Sequence, residues 1–396
     1  MTTISRFSEF DRFLVFWLGL VLVVSFPGNL VRLTGNTFFS SVYPVFVFLS
    51  FLFLSVVSFF SVLQRPVFAK VFIFLMTMFA VYILCNGALR GNDSYIYTMR
   101  YYCLPFFMYF LMFRYRFVSF FYESHNFWKL ILFTHAFFLG VYLLFLKGSV
   151  YPGIGVQSIA YAVIFFLVNG NLVLGVFGLL IVFFEGKRSV LLCLVLTIFV
   201  LRMIRISPIR RLIYALLGSI VFLSLLSGVL FFIAEINDIP VINRINLINP
   251  FSKSFDLYLG SSGRFGELVS VFSGSGFGEI LLGKGAGFTY IWDLGYANDQ
   301  TNTSKQYLHM SMANYVVSGG LIGIVLSLYI LKMPFQATNL NASWSVKYTA
   351  FGFSVYAILQ GFFGFNFATD PYTWVMILAP YALTKYGQAS TKLTGS

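Results

Sequence analysis

Charge is what this sequence has least of. Only 10% of its 396 residues are Asp, Glu, Lys or Arg, and 13 of these are acidic. A soluble globular protein covers its surface with about 25% charged residues, so that class is excluded. Cysteine is scarce as well. Cys85, Cys103 and Cys193 lie in or beside apolar segments. They form no C-x-x-C pair and no disulfide framework, and they read as small hydrophobes. The carboxylates are scattered, with no D-x-D, which argues against a site of converging oxygen ligands for a hard cation. The glycine-rich stretches "GSGFGE" and "GKGAG" are not a Walker A motif, because no G-x-x-x-x-G-K-[ST] follows a strand.

What is abundant is apolar. Hydrophobic residues make up 59% of the chain, and the mean hydropathy is +0.86. Apolar runs of about 18 residues or more read as membrane helices. "FLVFWLGLVLVVSF", "VYPVFVFLSFLFLSVVSFFSVL" and "LIYALLGSIVFLSLLSGVLFFIA" are of this kind. They do not alternate as the strands of a membrane barrel do. The reading is an all-α polytopic integral membrane protein, a single membrane domain over 1–396. Its twelve spans fall near 13–30, 38–63, 70–88, 101–113, 128–146, 157–169, 171–184, 189–202, 212–234, 307–331, 348–364 and 371–385. Spans six and seven are separated only by "NGN" at Asn169–Asn171, which reads as a tight turn, with one long kinked helix as the alternative. The first apolar run follows Arg6 and Arg12, has no A-x-A site and reads as a retained signal anchor.

The net charge of +13 does not point to nucleic acid. The cations sit between apolar runs rather than in a block, which is the membrane-orientation signal. "RMIRISPIRR" and the Arg114–Lys129 loop place the N-terminus in the cytoplasm, and with twelve spans both termini are cytoplasmic. The opposite face then carries "FEGKRS", "KGSVYPGIGVQ" and a segment at 235–306 between spans nine and ten. Connections longer than about 12–15 residues are usually functional or disordered. "FDLYLG" and "GEILLGKGAGFTYIW" within it look ordered.

On that outer face the sequence gathers Arg188 at the start of a span, Arg264 in "SSGRFGE" and Lys284 in "LLGKGAG". Arg90 and Arg100 flank span four, and His309 lies at the mouth of span ten. Cations at a membrane mouth are costly unless paired. Internal pairing with acids such as Glu267 or Glu279 is one reading, and it is preferred for Lys187 beside Glu185. The other reading is an anionic ligand: the planar fork of Arg bonds two phosphate oxygens at once, and glycines let backbone N–H groups join. Neighbouring cations favour the neutral imidazole of His309, which suits a general base. His125 reads as a solvated loop residue, and His135, inside span five, as a packing or helix-bonding residue.

With Arg188 in "GKRSVLL", Arg264 in "SSGR", "LLGKGAG" about twenty residues on, and His309 followed by "GGLIG", the chain resembles the O-antigen polymerase and O-antigen ligase superfamily. One departure is "HMS", with Met310 where a His-Asn pair is more usual. The resemblance implies glycosyl transfer from an undecaprenyl-pyrophosphate-linked oligosaccharide at the periplasmic face of the bacterial inner membrane. It implies no metal or other cofactor, and membrane lipid and a chain-length regulator protein as partners. Arg188 and Arg264 would neutralise the pyrophosphate and His309 would take the acceptor proton. Lys284, Arg100, Arg90 and Tyr307 would bind pyrophosphate or sugar, and Tyr290, Trp292 and Tyr296 would offer stacking faces. A polymerase joining repeat units is favoured over a ligase transferring glycan to lipid A–core. A flippase for the same lipid-linked sugars would need charges inside the spans and two related halves, whereas the spans are almost free of charges, the polar residues concentrate outside them and no internal repeat is found.

Overall fold

The computed structural model describes residues 70–92, 120–145, 156–184, 188–204, 252–253, 264–273, 275–292, 303–305, 308, 310–340, 343–363, 373–378, 380 and 384. The expected spans at 13–30, 38–63, 101–113 and 212–234 lie outside them. The fold is helical. α1 is Lys70–Leu89, α2 His125–Phe145, α3 Val156–Val168, α4 Leu172–Phe184 and α5 Arg188–Ile204. Then come α6 (Arg264–Ser273), α7 (Phe277–Leu282), α8 (Ser311–Lys332) and α9 (Trp344–Phe363). Beside the helices, a small antiparallel ribbon pairs β1 (Tyr290–Trp292) with β2 (Thr303–Lys305), in which Ile291 faces Ser304. Among the described residues one helical run, Ser311–Asn339, is long and apolar enough to cross a membrane by length and composition.

The interior is built around α3, where Ile159 to Phe166 are buried on every side. A helix that is apolar all round must be enclosed, and α2, α4, α5 and α9 enclose this one. Trp128 is buried beside it, donating its indole N–H to the Phe121 carbonyl at 2.7 Å. Its ring packs against Phe353 of α9 at 5.3 Å between centroids. Small residues set the close approaches. A Cβ at Gly178 of α4 would meet Leu132 at 3.1 Å, and one at Gly352 of α9 would lie 2.9 Å from Ile164 and 3.0 Å from Leu201. His135 packs as expected, buried with its Nε2 3.0 Å from the Ser158 hydroxyl. His125 is exposed, with its ring edge against Phe165 at 4.8 Å.

"NGN" is a turn, not a kink. Gly170 takes φ 79°, and Asn169 Nδ2 caps the Phe165 carbonyl at 2.8 Å. The Leu174 N–H is held by Asn171 Oδ1 at 3.2 Å. α3 and α4 each have 13 residues. That is about 20 Å of helix at 1.5 Å per residue, against a hydrocarbon core of about 30 Å.

The helix ends sort into two groups. Ser345, near the start of α9, donates to Asn169 Oδ1 in the α3–α4 turn. Gln360, near the other end of α9, donates to the Ser189 carbonyl at 3.1 Å. α8 and α9 are joined through the short 3-10 turn Met333–Asn339, so the start of α8 lies at the same end of the bundle as Gln360 and the start of α5. Lys129, Arg202, Lys332 and Lys347 fall towards the opposite end.

Candidate functional site

The glycine-rich stretch after α7 folds into the bundle end rather than over it. Gly283 (φ 75°), Gly285 (φ 77°) and Gly287 (φ 76°) take a conformation that side-chain-bearing residues rarely adopt. This path threads the backbone between the last turns of α1 and the middle of α8. At that level α8 is broken: Gly320, in "SGGLIG", has φ 53° and ψ −129°. In an unbroken helix the Val317 and Ser318 carbonyls would bond the N–H groups four residues on. Here they accept from the loop, Val317 from the Lys284 N–H at 2.8 Å and Ser318 from the Gly285 N–H at 2.9 Å. On the other side the Ala286 N–H bonds the Ile83 carbonyl at 2.8 Å.

The loop carbonyls are met by side chains of α1. Asn86 Nδ2 donates to the carbonyls of Gly283 at 2.9 Å and Leu282 at 3.2 Å. The Tyr82 hydroxyl also donates to Leu282, at 2.6 Å. Asn92 Nδ2 reaches the Lys284 carbonyl at 3.1 Å and the Ala286 carbonyl at 2.9 Å. The close approach that these glycines permit is therefore to other backbone of the same chain. Asn86 was absent from the sequence-derived candidates. Its signal was an amide inside an apolar run, a group that demands a partner.

Two expected substrate-binding cations meet a carboxylate here. Arg90 donates to Glu279 at 3.1 Å, and the Lys284 ammonium lies 3.6 Å from the same side chain. Arg90 Nε also donates to Asn86 Oδ1 at 3.0 Å. One acid thus holds two cations, and the cluster keeps one formal positive charge. The internal-pairing reading describes Arg90 and Lys284.

Above the loop lies a second small core of Val271, Phe288, Tyr290, Leu308 and Val317, with Leu268 and Ala313 packed against it. It joins α6, the start of the ribbon, the chain just before α8 and α8 itself. Tyr290, expected as a stacking face for sugar, is buried and stacks on Phe288 at 6.2 Å. Burial removes it from contact with a ligand. Glu267, in the first turn of α6, is fully buried.

The three residues expected to carry the chemistry are placed unequally. Arg264 is the first residue of α6, whose Val271 belongs to the second core. Arg188 is the first residue of α5, at the same bundle end; the described packing of α5 is with α3, α4 and α9. His309, Tyr307 and Arg100 lie outside the described residues, as do the Lys187–Glu185 pair and Tyr296. The sequence neighbours of His309 are fixed. Leu308 is buried, with its N–H 3.4 Å from Asn314 Oδ1, and Met310 is the N-cap of α8. The segments bearing Arg264, Lys284 and the flanks of His309 thus meet on one core. No known protein family, curated protein or solved structure matches this chain.

Proposed function

We propose that the chain is a polytopic membrane glycosyltransferase of the O-antigen polymerase kind. It crosses the bacterial inner membrane twelve times and works at the outer face, with the 235–306 segment completing the site. The observation that carries this reading is the meeting of the Arg264, Lys284 and His309 segments, distant in sequence, on one core at one end of the helix bundle. Exposed apolar stripes on α1, α2, α4 and α8, such as Phe133, Phe137, Val173 and Leu328, support a lipid surrounding. A water-exposed surface would not carry so much contiguous apolar area.

In the proposed reaction an acceptor sugar hydroxyl attacks the anomeric carbon of a lipid-linked donor. The new C–O bond forms as the bond to pyrophosphate breaks, and the electron pair leaves with the pyrophosphate. Arg188 and Arg264 neutralise that leaving group, and His309 takes the hydroxyl proton. Arg90 and Lys284, already held by Glu279, keep the glycine-rich loop in place. The charge of the two arginines serves where a metal would otherwise stabilise the leaving group.

The test is to incubate purified protein with a lipid-linked repeat unit, with and without lipid A–core. Polymer formed without lipid A–core supports the proposal, and transfer only to lipid A–core makes the protein a ligase instead. Arg264→Ala should lower the rate by about 30- to 1000-fold, since a preorganised charged contact is worth about 2–4 kcal/mol in the transition state. Arg264→Lys should restore only part, because a point charge lacks the bidentate fork. Normal polymerisation by Arg264→Ala would remove the arginine from the site.

A further inference from the structure

The outer segment at 235–306 reads from sequence as a long periplasmic loop with ordered parts, and one of those parts is threaded between helices of the bundle. Every backbone N–H from Lys284 to Ala286 and every carbonyl from Leu282 to Lys284, with that of Ala286, has a protein partner. Buried backbone groups are paired in water-soluble proteins too, so the depth of the loop decides its setting. Inside a bilayer they must be met within the protein, and irregular backbone at that depth survives only where it is buried. Gly283, Gly285, Ala286 and Gly287 are buried.

Depth follows from the register. Gly320, against which the Leu281 carbonyl packs, lies nine residues into α8, or about 13 Å along the axis. Ile83 lies six residues before the end of α1, or about 9 Å. One leaflet of hydrocarbon is about 15 Å thick. Meanwhile α7, which leads into the loop, has no buried residue. Phe277 is 77% exposed and Leu282 57% exposed. The end of α7 is held between α1, whose Tyr82 and Asn86 bond the Leu282 carbonyl, and Gly320 of α8, and both helices carry exposed apolar residues, Met78, Val81 and Leu89 on α1 and Leu321 onward on α8. Arg90 and Lys284 stand beside them with one shared carboxylate, leaving a net positive charge suited to lipid phosphates.

We infer that α7 and the following glycines form a re-entrant element seated in one leaflet of the bilayer. Phospholipid acyl chains cover Phe277 and Leu282, and head-group phosphates lie against Arg90 and Lys284. This rests on the membrane-spanning part of the proposed function and on none of its chemistry. The test uses the full chain, freed of its native cysteines, in vesicles of phosphatidylethanolamine and phosphatidylglycerol. Single cysteines at Phe277, Leu282, Leu321 and Lys253 carry an environment-sensitive fluorophore. Labels at 277 and 282 should match 321: quenched by nitroxides on the acyl chains, protected from aqueous iodide, and blue-shifted relative to 253. Labels at 277 and 282 that follow 253, while 321 stays in lipid, would overturn this inference alone. A label at 321 open to iodide would overturn the membrane reading with it. The unmodified chain gives a second measurement: a photoactivatable acyl-chain lipid should cross-link within 277–282, and cross-links confined to α1 and α8 would overturn the inference.

Discussion

Gly283→Ala tests whether the glycine-rich loop is held by backbone contact. At φ 75° and ψ 165°, Gly283 sits in a region essentially closed to other residues, and alanine there costs about 1–3 kcal/mol. Its Cβ would also stand 2.5 Å from the Gly320 nitrogen and 2.7 Å from the Ser318 carbonyl carbon. Neither is a flexible side chain, so the loop must withdraw. Withdrawal breaks the Lys284–Val317 and Gly285–Ser318 hydrogen bonds, each worth about 0.5–1.5 kcal/mol net. The total is about 2–6 kcal/mol, the sum of the conformational and hydrogen-bond costs. Two other glycines separate the causes. Gly91 has φ 68° with nothing near its absent Cβ, so Gly91→Ala should cost only the local strain of about 1–2 kcal/mol. Gly278 is helical with open space around it, and Gly278→Ala should be neutral or stabilising by up to about 1 kcal/mol. Thermal unfolding in detergent, followed by size-exclusion of the soluble fraction, should rank Gly278→Ala at or above the parent, then Gly91→Ala, then Gly283→Ala. A Gly283→Ala protein that melts with the parent would refute the backbone-contact account.

Asn92→Ala removes both bonds to the loop and should destabilise by about 1–3 kcal/mol, read in the same melting assay. Glu279→Gln breaks two partly exposed ion pairs and should change stability by no more than about 1 kcal/mol; a large loss would mean that the pairs are shielded from water. Trp128→Ala opens a cavity between α2, α3 and α9 and should cost about 3–5 kcal/mol, whereas Trp128→Phe should recover most of it, short of the indole hydrogen bond to the Phe121 carbonyl. Transfer activity should survive EDTA, and restoration of lost activity by a divalent cation would reveal a metal site.

The helices near 70–88, 128–146, 157–169, 171–184, 189–202 and 348–364 were legible within a few residues. An apolar run long enough to hide its backbone has few options besides a helix, and "NGN" between two such runs left a tight turn or a kink, which Gly170 at φ 79° decides as a turn. The tenth run was legible as apolar, but its break was not. The pair Gly319–Gly320 permits a break, and what makes it occur is the loop that bonds Val317 and Ser318. The same limit applies to "GKGAG". Its glycines announce close approach, but the surfaces approached are α1 and α8, and local sequence holds no record of those pairings. Glu279 illustrates the point for charge. Its partner Lys284 is five residues away and could be guessed, whereas Arg90 is 189 residues away. Tyr290 was a plausible sugar platform by type, and only the packing of Phe288 and Leu308 shows that its face is taken.

The clamp on the loop also sets an order of events during synthesis. Asn86 enters with α1, yet the Leu282 carbonyl it must meet lies 196 residues later in the chain. At about 5–20 residues per second, that is a wait of roughly 10–40 s. Through this interval α1 carries an amide with no loop to bond, next to Gly87, which is shaped for a backbone that has not yet been made. A nascent chain halted before Gly283 should therefore display an unfinished α1, with the Asn86 amide and the groove at Gly87 open to other partners. Release from that state comes in one step, when the glycines arrive.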